Sequence, residues 1–193
     1  MIYFLLVPLV LLVLYALSIY NKLQGLKVRI VQSIQEIGNQ LKRQAELIPN
    51  LVEAAKGMMK QEKGIFEDLT NARKSISEAA SSGDVDKMSK TAEVSSKLFG
   101  SFFALMESKP AIISSTVVQD LMANLRDSSD KLMYARRLLI ELTTQYNTML
   151  VTIPSSLIAS LFGFKAEKGL STPMEGEHVT VSSEETKTPR VSL

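Results

Sequence analysis

The sequence predicts an all-α fold: an N-terminal transmembrane helix, then an antiparallel bundle of long helices, then a disordered C-terminal tail. Three observations predict it. An uncharged apolar run fills residues 2–20, apolar residues then recur at steps of three and four over most of residues 26–149, and from about Ala166 onward the chain is Glu, Ser, Thr, Lys, Gly and Pro without a period. The expected division is an anchor over residues 1–21, a helical body over 22–164 and a tail over 165–193.

The first element follows from length. From Ile2 to Tyr20 there is no charged side chain. At about 1.5 Å per residue the run makes about 28 Å of helix, close to the ~30 Å hydrocarbon thickness of a bilayer. Tyr20 falls where an amphipathic ring sits at the far interface. A cleaved signal peptide is the competing reading, since Ala16-Leu17-Ser18 offers small residues at a cleavage-like spacing. Two features disfavour it: no Lys or Arg precedes the run, and the run exceeds the ~7–15 residues of a usual signal-peptide apolar region. Lys22, Lys27 and Arg29 follow it closely, so the positive-inside tendency places the N-terminus outside and the body in the cytoplasm.

Behind the span, Leu26, Ile30, Ile34, Ile37, Leu41, Ala45, Ile48, Val52, Ala55 and Met59 form one helical stripe, with Gln32, Gln35, Glu36, Asn39, Gln40 and Lys42 on the other faces. The membrane helix is expected to run into this one without a loop. Pro49 predicts a kink or short break, because proline removes a hydrogen bond and crowds the preceding turn. A second stripe, Ile65, Leu69, Ala72, Ile76 and Ala79, ends at the turn-forming Ser81-Ser82-Gly83-Asp84. Asp84 is the expected N-cap of a third helix. That helix carries Met88, Ala92, Ser95, Phe99, Phe102 and Met106, with Phe99, Phe102 and Phe103 as its heaviest core contribution, and stops at Lys109-Pro110. The last long helix, Val118, Leu121, Leu125, Ser128, Leu132, Ala135, Leu139, Leu142, Tyr146 and Met149, is a heptad seam closed by Pro154. Such a seam packs either inside a bundle or between chains. Leu157, Ile158, Leu161 and Phe162 then form one face of a short helix stopped by Gly163, which docks on the bundle, lies on a membrane surface or enters a partner groove.

Composition excludes most chemistry. Net charge is +2, with Lys+Arg 22 against Asp+Glu 20, so no basic field for nucleic acid is expected. With Cys 0 and a single histidine, His178, in the predicted tail, disulfides, thiolate sites and His-centred catalysis are unavailable to the folded body. Carboxylate neighbours such as Glu67-Asp68 and Asp84/Asp86 read as solvated faces, and Gly57 and Gly64 stand alone rather than in a phosphate loop. Met58, Met59, Met88, Met106, Met122, Met133 and Met149 read as core gap-fillers. Lys42-Arg43 and Arg136-Arg137 are basic doublets suited to lipid headgroups or partner acids, or simply to solvent. No catalytic, cofactor-binding or metal residues are nominated, and no cofactor is expected.

Several short motifs nevertheless stand in a definite order. Tyr20-Asn21, Leu41-Lys42-Arg43 and Glu46-Leu47-Ile48-Pro49-Asn50-Leu51-Val52 are followed by Asn71-Ala72-Arg73, Glu107 with Pro110, Tyr134-Ala135-Arg136-Arg137, Tyr146-Asn147, Pro154, and Ala159 with Gly163-Phe164. This pattern resembles the LemA family over nearly the whole chain except the tail. The departures are Gln44 where the family usually has a second Arg, Ser129 where it usually has Glu, and Leu139-Ile140 where a first Tyr-Asn is common. The resemblance implies a bacterial, membrane-anchored helical bundle with a small external N-terminus, supplies no activity, and leans toward scaffolding. It also implies that any buried Arg–Glu pairing shared by relatives is weakened here by Ser129.

The expected function is therefore a non-enzymatic scaffold in the bacterial inner membrane, touching the lipid bilayer and either self-associating as a homo-oligomer or holding membrane-associated protein partners, with no nucleic acid involved. The alternative expectation is a lipid-binding or membrane-shaping module acting through the Leu157–Phe164 amphipathic helix.

Overall fold

The computed structural model describes residues 2–56, 63–109 and 115–170. Within them lie five helices: α1 (Ile2–Lys56), α2 (Lys63–Ser82), α3 (Val85–Glu107), α4 (Thr116–Val151) and the short α5 (Ser155–Leu161). The four long helices run up and down in turn. Gly38 of α1 lies opposite Ala80 of α2 while the wall of one groove joins Pro49 to Arg73, so those two helices are antiparallel. Lys87 meets Glu78 across the next turn. Arg136 reaches Ser89 and Arg126 reaches Glu107, which orients α4 against α3. Contacts of α1 are most extensive with α4 and then with α2, which makes α1 the spine of the bundle.

Two halves of α1 differ in what covers them. Large apolar side chains from Leu6 to Leu17 are exposed, at 45–64%. From Ile19 onward the helix turns a stripe inward: Leu26, Ile30, Ile37, Leu41, Ala45 and Ile48 of the predicted stripe are buried and Ile34 and Val52 partly so, with Leu23 and Leu51 buried beside them. Burying one such side chain contributes about 1.5–3 kcal/mol. The apolar run is one helix with the stripe behind it, as expected. Pro49, however, does not break the helix, which continues to Lys56. Its missing N–H leaves only the Ala45 carbonyl without its helical partner, and the flanking Ile48 and Leu51, each 1% exposed, hold the segment against the core.

The α2–α3 turn forms as its residues dictate. Gly83 has φ +66°, a left-handed conformation open to glycine. The Asp84 carboxylate accepts from the Asp86 and Lys87 backbone N–H groups at 2.9 and 3.1 Å, and those bonds, led by the one from Lys87, hold its pKa below the ordinary carboxylate value. Phe99 and Phe102 are buried, and Phe103 packs partly against the core with the Arg126 guanidinium 4.7 Å from its ring centroid. The third helix ends at Glu107; Pro110 lies outside the described residues, as do Met58 and Met59.

The α4 seam takes the first of its two open arrangements and packs inside the bundle: Val118, Leu125, Ser128, Leu132, Ala135, Leu139, Leu142 and Tyr146 are buried there, and Leu121 and Met149 partly so. Two further expectations are corrected. Met133, expected in the core, is 64% exposed because it lies on the opposite side of α4, whereas Met88, Met106 and Met122 are buried. Gln40, expected on a solvated face, is 8% exposed, since it sits one turn behind Gln44 on the side of α1 that α4 covers.

The short segment after α5 is placed as well. Residues 164–170 lie without helix against the bundle, with Phe164 and Leu170 packed on its core. The remaining tail, 171–193 with His178, lies outside the described residues.

Candidate functional site

The contact between α1 and α4 is lined by polar groups as well as by leucines. Ser33 Oγ donates to the Ala135 carbonyl at 2.9 Å. Ser128 Oγ donates to Gln40, whose backbone and side-chain oxygens lie 3.1 and 3.0 Å away, and Gln40 Nε2 donates to Glu36 at 2.7 Å. Gln44 Nε2 donates to Ser129 Oγ at 3.2 Å, and the Ser129 hydroxyl in turn donates to the Leu125 carbonyl at 2.9 Å. At the solvent edge Arg43 reaches Asn124 at 2.9 Å and Asp127 at 3.3 Å, and Lys131 shares that carboxylate. The partners descend one helix as they ascend the other, which fixes an antiparallel register: a shift of one residue would leave several buried hydroxyls and amides unpaired, at about 1–3 kcal/mol each.

Gln44 and Ser129, two of the positions where the chain departs from its resembled pattern, therefore face one another. An uncharged amide and hydroxyl meet there. Gln44 is 1% exposed, and its Oε1 has no partner. Two charges in that place would each carry a desolvation penalty of several kcal/mol; the neutral pair avoids it while keeping a hydrogen bond.

A second convergence lies at the other end of the α1–α4 contact. The Tyr20 ring meets Phe162 at 4.9 Å and Phe164 at 5.5 Å between centroids. Tyr146 is fully buried, and its hydroxyl donates to the Lys165 carbonyl at 3.0 Å. That burial raises its pKa above the ordinary phenol value, an effect that Lys27 opposes. Asn147 holds Glu167 twice, donating to its carbonyl at 2.8 Å and accepting from its N–H at 3.0 Å. Lys27 pairs with the Glu167 carboxylate at 3.2 Å, and Lys168 pairs with Asp86 on α3, which raises the lysine pKa. Gly163, with φ +68°, makes the reversal that brings this segment back. The Ile153–Pro154 peptide bond is cis and opens the corner between α4 and α5. Tyr20, Tyr146-Asn147, Pro154, Ala159 and Gly163-Phe164, scattered through the sequence, thus form a single junction.

α5 docks by a different face from the one its apolar residues suggest. Ser155 and Ala159 are buried and Ile158 is partly so, while Leu157, Leu161 and Phe162 are 65, 77 and 54% exposed. Of the basic doublets, Arg43 and Arg136 bond within the fold. Elsewhere an open groove of about 520 Å³ runs between α2 and α3, lined by residues such as Asp68, Asn71, Lys90 and Ser95. Among the described residues no three His, Cys, Asp or Glu side chains gather as metal ligands.

The Ser33, Asn124 and Asn147–Glu167 bonds leave no local mark in the sequence because they join residues far apart along it. The adjacent Ser128-Ser129 opposite Gln40 and Gln44 was the one available signal: hydroxyls on an otherwise apolar seam.

Fold and junction together define a class, a four-helix bundle built on an apolar N-terminal helix and closed by a segment folded back on it. The LemA family model matches residues 33–183, which is most of the chain, and the chain belongs to the LemA family. A search of curated proteins returns no match.

Proposed function

We propose that this protein is a non-enzymatic scaffold of the bacterial inner membrane, anchored by the first part of α1 with its N-terminus outside, whose cytoplasmic bundle self-associates or holds partner proteins at the bilayer. One observation carries the reading: α1 is a single unbroken helix whose exposed apolar part, long and apolar enough to cross a membrane, continues into the most buried stripe of the bundle. A bundle built on its own anchor is held at a set height and orientation, which suits a platform for other proteins. Family membership is compatible with that reading. Because the inner seam of α4 is occupied, contacts with other chains fall to its outer side, where Met133 and Tyr134 are 64 and 69% exposed beside Arg137.

A photo-reactive group at Tyr134 in native membranes tests this. Adducts with a second copy or with a distinct protein are expected; monomer alone, under conditions that trap known membrane complexes, overturns the scaffold. Topology is read separately from Ser182→Cys in this cysteine-free chain. Protection from an impermeant thiol reagent until the cells are permeabilised is expected, and labelling of intact cells would move the bundle outside.

A further inference from the structure

We infer that the corner between α4 and α5 is a second membrane contact: Val151, Ile153, Leu157, Leu161 and Phe162 insert into the same leaflet from which α1 emerges, so the bundle sits on the bilayer rather than hanging from it. The inference rests on the proposal that α1 is the anchor.

Height is the first argument. If Ile2–Tyr20 crosses the bilayer, its ~28 Å leaves no slack against a ~30 Å hydrocarbon layer, and Ile19–Tyr20 must lie at the boundary of the acyl chains. Yet Ile19 is already buried by the bundle, and Tyr20 is in ring contact with Phe162. The C-terminal end of α5 therefore lies level with that boundary.

Composition is the second. From Leu142 to Phe164 the chain carries no charged residue. The five side chains named above are 54–83% exposed, an unpartnered patch on the one part of the body that the span brings to the membrane. Charges resume at once on both strands leaving the junction, with Lys22 on α1 and Lys165 after α5. Lysines at that level suit anionic headgroups, and an apolar surface continuous with a membrane span and bordered by lysines matches a bilayer better than a protein groove.

The chain contains no tryptophan, so single reporters can be introduced into the full-length protein, reconstituted in phosphatidylcholine/phosphatidylglycerol vesicles with lipids brominated at defined acyl depths. Leu161→Trp is expected to be quenched most by shallow bromines, Leu12→Trp by deep ones, and Val94→Trp on α3 by neither. All three positions are exposed, so substitution leaves the core intact. If Leu12→Trp is quenched and Leu161→Trp is not, the anchor stands and the second contact fails; a protein partner or second copy covering the patch gives this same result. If Leu12→Trp also escapes quenching, the anchor reading fails and takes the inference with it.

Discussion

The two halves of α1 are one helix under two different rules. In the outer half, Leu6 to Leu17, apolar side chains surround the helix and are exposed; in the inner half, apolar residues occupy one stripe and Ser33, Gln40 and Gln44 share the buried side with them. A helix uniform around its circumference can be stabilised by a uniform apolar medium but has no means of specifying a neighbour. A helix with hydroxyls and amides interleaved among leucines specifies its partner and its register, because each polar group must meet a counterpart. The first half suits anchoring, and the second builds a unique bundle.

The sharpest way to break this comparison is to truncate a leucine in each half. Leu41→Ala, in the buried half, is expected to destabilise the bundle by about 2–5 kcal/mol, whereas Leu12→Ala leaves unfolding unchanged; urea titration in mild detergent followed by circular dichroism checks both. Equal losses would show that the two halves share one environment.

The polar seam is tested next. Gln44→Arg alone places an unpaired charge against α4 and is expected to cost about 3 kcal/mol. Adding Ser129→Glu supplies the counter-charge and recovers most of that loss. A double-mutant cycle in the same titration reads the coupling; additive effects would mean that the two positions do not meet.

A smaller effect belongs to Asp84. Its depressed pKa means that the ionised cap contributes stability at pH above the ordinary carboxylate value, and that this contribution disappears as pH falls through the lower folded value. Asp84→Asn keeps the cap and is expected to flatten the acid limb of a Tm-against-pH profile. The Lys168–Asp86 pair works in the opposite sense on the lysine. Its raised pKa contributes stability below the ordinary lysine value that is lost as pH rises through the folded one, and Lys168→Met should remove a slight loss of Tm at high pH.

Periodicity made the helices legible because apolar side chains at steps of three and four have one satisfactory arrangement. Asp84 and Gly83 were legible for a local reason: a short carboxylate caps nearby N–H groups, and glycine accepts positive φ. The break expected at Pro49 does not form because proline removes one bond, while the burial of Ile48 and Leu51 acts on the whole turn. Gln40 misled because amphipathic patterns sort residues by polarity, and a glutamine with a serine opposite it satisfies its polarity inside. The junction was half legible. Its residues carried the family resemblance, but nothing local indicates that Tyr20 meets Phe162 or that Asn147 grips Glu167. The exposed face of α5 was read as apolar, and only the packing of Ala159 showed which way it turned.

The central claim, that anchor and core are a single rigid helix, is tested most directly by a distance. Spin labels at Leu11→Cys and Val28→Cys, both exposed, flank the boundary at Tyr20 in the full-length protein in lipid nanodiscs. An unbroken helix predicts one narrow distribution centred near the axial separation of about 26 Å, broadened only by the label arms. A broad or bimodal distribution would mean that the chain hinges between the two halves, and would contradict the claim.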